Sequence, residues 1–145
     1  MKYLLDTGVW LWNLIEPERI NPQACQLIAD GREELYLSAA SSWEISIKSA
    51  LGKLRLPSTP SRLVPEAMAA QGIRPLPITH THALAVSALP LHHKDPFDRL
   101  LIAQAKAEGM TILTADRSFA QYGVEVFWCA RTPYSSPATS SNLPK

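Results

Sequence analysis

The chain has 145 residues, 46% of them apolar and 19% charged, with a formal net charge of +1. That length supports one domain with a real core, and the near-neutral balance excludes a global basic field, so a polyanion would have to be held by a local patch. Cys25 and Cys129 form no paired metal or disulfide motif, Lys2 and Asp6 leave no apolar leader, and no run approaches a membrane span, so a reduced cytoplasmic setting is expected.

Tyr3-Leu4-Leu5 reads as a buried strand that ends in Asp6-Thr7-Gly8. Val9 to Ile15 then forms a short helix stopped near Pro17. Trp10 and Trp12 are two apart and cannot share its face, so one belongs in the core and the other is free for a partner. Asn21-Pro22 opens a second helix by the cap-then-proline rule, ending at Gly31. Glu34 to Ser38 is the second strand, and a helix starts at Ser41-Ser42-Trp43-Glu44 and stops at Gly52. Thr59-Pro60 opens the next helix, which runs through Pro65 to Gly72. Ile73 to Ile78 carries two prolines that cannot donate to a ladder, so it is an edge strand or an extended connector. Thr79 caps a helix that Pro90 ends.

The stretch from His93 to Ala105 reads as a helix start with unusually clear chemistry. Asp95 suits the cap, Pro96 the first helical position, and Gly109 the stop. Asp98 aligns with Leu101, Ile102 and Ala105, which puts a carboxylate on the face the helix should bury. Gln104 and Glu108 fall on roughly the opposite side. Thr111 to Thr114 is a strand followed by Asp116, and Val124 to Trp128 is the last strand. Residues 1–130 therefore form the domain. Residues 131–145, rich in Pro, Ser and Thr, are expected to be a disordered tail.

Strands alternating with helices indicate an α/β fold with a parallel sheet covered on both faces. Ligands of such sheets gather beyond the C-terminal strand ends, and that is where Asp6, Glu44, Asp98 and Asp116 fall. Each acid also has a local explanation. Asp6 suits a turn, Glu44 a capping box with Ser41 or a pair with Lys48, Asp98 the helix dipole, and Asp116 a cap for Arg117-Ser118-Phe119. Together they would repel one another unless a cation joined them. An all-oxygen set favours Mg²⁺ or Mn²⁺, and such an ion acts most naturally on phosphate esters. The Thr7 and Thr114 hydroxyls can orient a water or a ligand oxygen. Lys48, Lys94, Arg99 and Arg117 can meet a nucleic-acid backbone. His80 and His82 fall on different helical faces and do not form a metal pair. His92 and His93 adjoin Asp95 but, as loop histidines, are expected to be bystanders.

The segments Leu4-Leu5-Asp6-Thr7, Ser42-Trp43-Glu44-Ile45, His93 to Ala105, and Leu113-Thr114-Ala115-Asp116 occur in order, and with this set the chain resembles PIN-domain proteins. It is most similar to the toxin ribonucleases of VapBC-type toxin–antitoxin pairs. The resemblance implies a three-layer α/β/α fold with about five parallel strands. It implies a Mg²⁺- or Mn²⁺-dependent endoribonuclease that leaves a 5′-phosphate and a 3′-hydroxyl. It also implies a homodimer neutralised by a small cognate antitoxin. The family's acidic quartet maps onto Asp6, Glu44, Asp98 and Asp116 as catalytic and metal-holding residues, with Asp95 a cap. Substrate contacts are expected from Arg99, Lys48, Thr7 and Thr114. Two other readings compete: a degenerate PIN domain serving as a binding module, and a Mg²⁺-dependent phosphatase. The phosphatase type wants Asp-x-Asp after the first strand, where this chain has Asp6-Thr7-Gly8.

Overall fold

The computed structural model describes residues 1–131, so the expected tail lies almost wholly outside the described residues. Five strands form one sheet: β1 (Lys2–Leu5), β2 (Glu34–Ser38), β3 (Arg74–Leu76), β4 (Thr111–Thr114) and β5 (Val126–Trp128). All pairings are parallel, in the spatial order β3-β2-β1-β4-β5. Parallel neighbours need crossovers, and helices supply them. Helices α1 (Thr7–Ile15) and α2 (Pro22–Asp30) join β1 to β2. Helices α3 (Ala39–Ala50) and α4 (Pro60–Gln71) join β2 to β3. Helices α5 (His80–Ala85) and α6 (Pro96–Glu108) join β3 to β4, and a 3-10 turn at Arg117–Tyr122 leads into β5.

The period-two alternation of the strands sends side chains into two cores. Leu5, Leu35, Leu37 and Leu113 pack with Val9 and Trp10 of α1, Ile28 of α2, Ile45 of α3 and Val64 of α4. Leu4 and Ile112 point the other way, against Leu101, Ile102 and Ala105 of α6 and Phe119 of the 3-10 turn. This is the expected α/β/α arrangement. Strand β3 carries Pro75 and lies at the sheet edge, where a missing donor costs least. Of the two tryptophans, Trp10 is the core residue, with its indole N–H donating to Gln71 Oε1 at 2.8 Å.

Three expectations need correction. Helix α3 begins at Ala39, not at Ser41, because Ser38 Oγ accepts from Ala40 N at 2.9 Å and caps it directly from β2. Glu44 therefore lies further into the helix and forms no capping box with Ser41. The last strand begins at Val126, not Val124. Gln104 is fully buried, not on an outer face, because it meets the end of β2 and α5 packs over that side of α6. There it accepts from Ser38 Oγ at 2.5 Å and donates to the Pro77 carbonyl at 3.2 Å.

Candidate metal and catalytic site

Chain order runs outward from β1 in one direction to β3 and in the other to β5, so the switch point lies between β1 and β4. Asp6 leaves the end of β1 and Asp116 follows the end of β4, one on each side of that point. The Asp6 backbone N–H donates to Leu113 O at 2.9 Å, which pins the end of β1 to β4. Glu44 reaches in from α3, and Asp98 from the first turn of α6. All four line one open cleft of about 260 Å³, together with Thr7, Gly8, Val9, Trp12, Lys48, Asp95 and Ala115. The sequence thus placed the quartet at one rim, and the structure brings the four into one cleft.

Asp6, Glu44, Asp116 and the neighbouring Asp95 each accept from donors of their own. Thr114 Oγ1 donates to Asp6 Oδ2 at 2.8 Å and accepts from Asp116 N at 3.0 Å, so one hydroxyl ties the two strand ends together. Lys48 Nζ donates to Glu44 Oε2 at 2.6 Å, the pairing one turn apart that the sequence allowed. This hydrogen bond raises the Lys48 pKa. Asp116 Oδ1 accepts from the Ser118 backbone N–H at 2.9 Å and its hydroxyl at 2.7 Å, so it also caps the 3-10 turn. Asp95 caps α6, accepting from Phe97 N at 2.8 Å and Asp98 N at 3.4 Å.

The electrostatics show a site short of positive charge. Burial first, and then the charges of Asp6, Asp95, Glu44 and Asp116, push the Asp98 pKa up to about 8. Burial likewise raises Asp6 to about 6, although the Thr114 hydrogen bond opposes it. Glu44 is only 6% exposed, and its Oε1 has no hydrogen-bond partner among the described residues. A buried carboxylate oxygen without a donor is costly. A divalent cation fits this set: it satisfies the orphaned oxygen, matches all-oxygen ligands and relieves the mutual repulsion. Among the described residues, His93, Asp98 and Asp116 offer possible ligand atoms that all lie within 4.8 Å of one another. Asp6 and Glu44 stand outside that group, a separation suited to an ion that keeps part of its water shell.

A sequence profile described as PIN domain matches residues 3–125. The chain belongs to the PIN-domain family. Ribonuclease VapC22 of Mycobacterium tuberculosis is 31% identical over 115 residues, covering 79% of this chain and 86% of that protein. Ribonuclease VapC16 of the same organism is 43% identical over 56 residues, and there the match spans only 40% of VapC16. Among solved structures, VapBC2 from Rickettsia felis, crystallised with a DNA fragment from its promoter, superposes with a TM-score of 0.67. At 13% identity over 89% of this chain and 99% of that one, the likeness speaks for the fold alone.

Not every expected substrate contact of this PIN domain reaches the cleft. Lys48 and Thr7 line it, and Thr7 Oγ1 donates to Ser41 Oγ at 2.7 Å. Thr114 is fully buried and acts through Asp6 and Asp116. Arg99 is a correction. Its guanidinium donates to the carbonyls of Pro90 at 2.8 Å and Val86 at 3.1 Å, with longer bonds to Leu89 and His93, so it holds the loop before α6. His80 is exposed and His82 is buried in a capping box with Thr79, so they form no pair, as their spacing required.

Two residues matter more than the sequence suggested. Trp12 lines the acidic cleft, with the Arg19 guanidinium 4.3 Å from its ring centroid. His93 is not a bystander. Its Nε2 lies 3.0 Å from Asp98 Oδ2 and 3.1 Å from Asp116 Oδ2. The available signal was its place two residues before the Asp95 cap, which fixes where the ring can lie. Its partner Asp116 is 23 residues on, beyond any local rule.

Proposed function

We propose that this chain is a divalent-metal-dependent endoribonuclease, the toxin of a toxin–antitoxin pair. The observation that carries this reading is the convergence of Asp6, Glu44, Asp98 and Asp116 on one cleft where burial and mutual repulsion disfavour their charge. Membership of the PIN-domain family and the ribonuclease names of VapC16 and VapC22 support it.

A bound Mg²⁺ or Mn²⁺ supplies positive charge for the non-bridging phosphate oxygens and lowers the pKa of an attacking water. Asp6 and Asp98 are its principal holders, and Glu44 and Asp116 complete the site directly or through water. Thr114 fixes which oxygen of Asp6 faces the cleft. Lys48 neutralises Glu44 and offers its remaining donors to the RNA backbone at the rim. Thr7, beside Asp6, donates its hydroxyl proton to Ser41 Oγ and keeps lone pairs that accept from a water in the cleft. The partners in this reading are RNA, a small cognate antitoxin and a second copy of the chain.

Inducible expression in bacteria with RNA end mapping tests the proposal. The wild type should leave fragments with 5′-phosphate and 3′-hydroxyl ends. Asp6→Ala should lower cleavage at least about a thousandfold, because groups that act as a unit fail together. Equal cleavage by both proteins would remove the assignment.

A further inference from the structure

His93 is absorbed by none of these roles, yet its ring is fixed on three sides. The Asp95 backbone N–H donates to Nδ1 at 3.2 Å. The buried ring of Phe119 packs edge-on, with centroids 6.0 Å apart at 71°. On the third side Nε2 faces two carboxylates at 3.0 and 3.1 Å. Because Nδ1 uses its lone pair to accept, the neutral ring carries its proton on Nε2. That proton goes to Asp116 Oδ2, and Asp98 Oδ2 stands 3.0 Å from the same nitrogen as an ion-pair contact.

We infer that His93 is a positioning residue that aims Asp98 and Asp116 at the divalent ion and does not itself ligate it; this rests on the metal-dependent reading above. A ring nitrogen that carries a proton has no lone pair to give a metal. The distances alone would allow His93 to join Asp98 and Asp116 as a third ligand. The Asp95 N–H decides against it, since freeing Nε2 would place a second hydrogen opposite that donor. The bridge has a clear use. Asp98 comes from α6 and Asp116 from beyond β4, and His93 Nε2 stands within 3.1 Å of an oxygen of each. With Oδ2 turned to the His93 ring, Asp98 presents Oδ1, which accepts no hydrogen bond among the described residues and is available to the cation. Outer partners of this kind hold ligands in register, and their loss weakens metal binding about 10- to 100-fold.

The full chain, labelled with ¹⁵N-histidine, tests this by long-range ¹H–¹⁵N NMR together with calorimetric titration of Mg²⁺. The spectrum should show the Nε2–H form of His93 without metal and the same form at saturating Mg²⁺. His93→Ala should weaken Mg²⁺ binding about 10- to 100-fold with an unchanged circular dichroism spectrum. His93→Gln, which keeps a donor on a similar stem, should recover part of that loss. Loss of the Nε2 proton at saturating Mg²⁺ would overturn the inference, as would an alanine variant that binds Mg²⁺ as tightly as the wild type. Should the alanine variant fold poorly, the wild-type spectrum still decides. RNA cleavage enters none of these readouts, so failure of the nuclease assignment and failure of this inference are separate events.

Discussion

At Asp98, burial and four neighbouring acids push in one direction, and the carboxyl keeps its proton up to about pH 8. Asp6 keeps its own to about 6. In an unfolded chain both groups ionise near pH ~4. Between those limits the folded, metal-free protein binds more protons than the unfolded chain, so its stability falls as pH rises. The melting temperature measured in chelator should therefore decline from about pH 4 to about pH 8, and saturating Mg²⁺ should flatten that decline. Asp98→Asn removes the strained charge, and at about pH 8 without metal it should be more stable than the wild type by about 1–3 kcal/mol. A metal-free protein that grows steadily more stable across this window would contradict the electrostatic account. Asp98 was legible in the sequence because an acid on an apolar stripe stands out. The bond from Thr114 to Asp6 spans 108 residues, and only the β1–β4 pairing creates it. Arg99 misled because four backbone carbonyls of a neighbouring loop leave no trace in a charge pattern.

Helix α6 shows what periodicity can and cannot find. Its cap, first-position proline and glycine stop were legible, and Gly109 indeed takes a left-handed φ of 67°. Its buried face was half legible. Leu101, Ile102 and Ala105 face the sheet core as their spacing implies. Gln104 is buried because α5 covers a second side, and a polar residue gives no apolar signal to mark that contact. Its amide links β2 to the β3–α5 connection through Ser38 and Pro77, and His82 extends the chain to Glu108 at 2.8 Å. Gln104→Leu has similar volume but leaves the buried Ser38 hydroxyl proton without its acceptor and the Pro77 carbonyl without its amide donor. It should cost about 2–3 kcal/mol in urea denaturation. A change within about 0.5 kcal/mol would mean that the network contributes no net stability. The start of α3 was misread for a related reason: Ser38 serves both as the last strand residue and as the cap, so no loop residue announces the helix.

On the scale of the molecule, the order of the strands makes the site. Alternating strands and helices gave the layers, and four acids at strand and helix ends gave the rim. The strand order itself was not legible, yet it sets Asp6 beside Asp116 by pairing β1 with β4 across more than a hundred residues. Trp12 faces this cleft while Trp10 fills the core, a choice the two-residue spacing required but left open. The same topology concentrates negative charge that local partners offset only in part: Lys48 meets Glu44 Oε2, and Glu44 Oε1 is left without a donor among the described residues. Calorimetric titration of Mn²⁺ into wild type and Asp98→Asn tests this most directly. The account predicts saturable uptake by the wild type and at least a ~100-fold loss of affinity in a variant that folds normally. No saturable uptake by the wild type, or equal affinity in the two proteins, would contradict it.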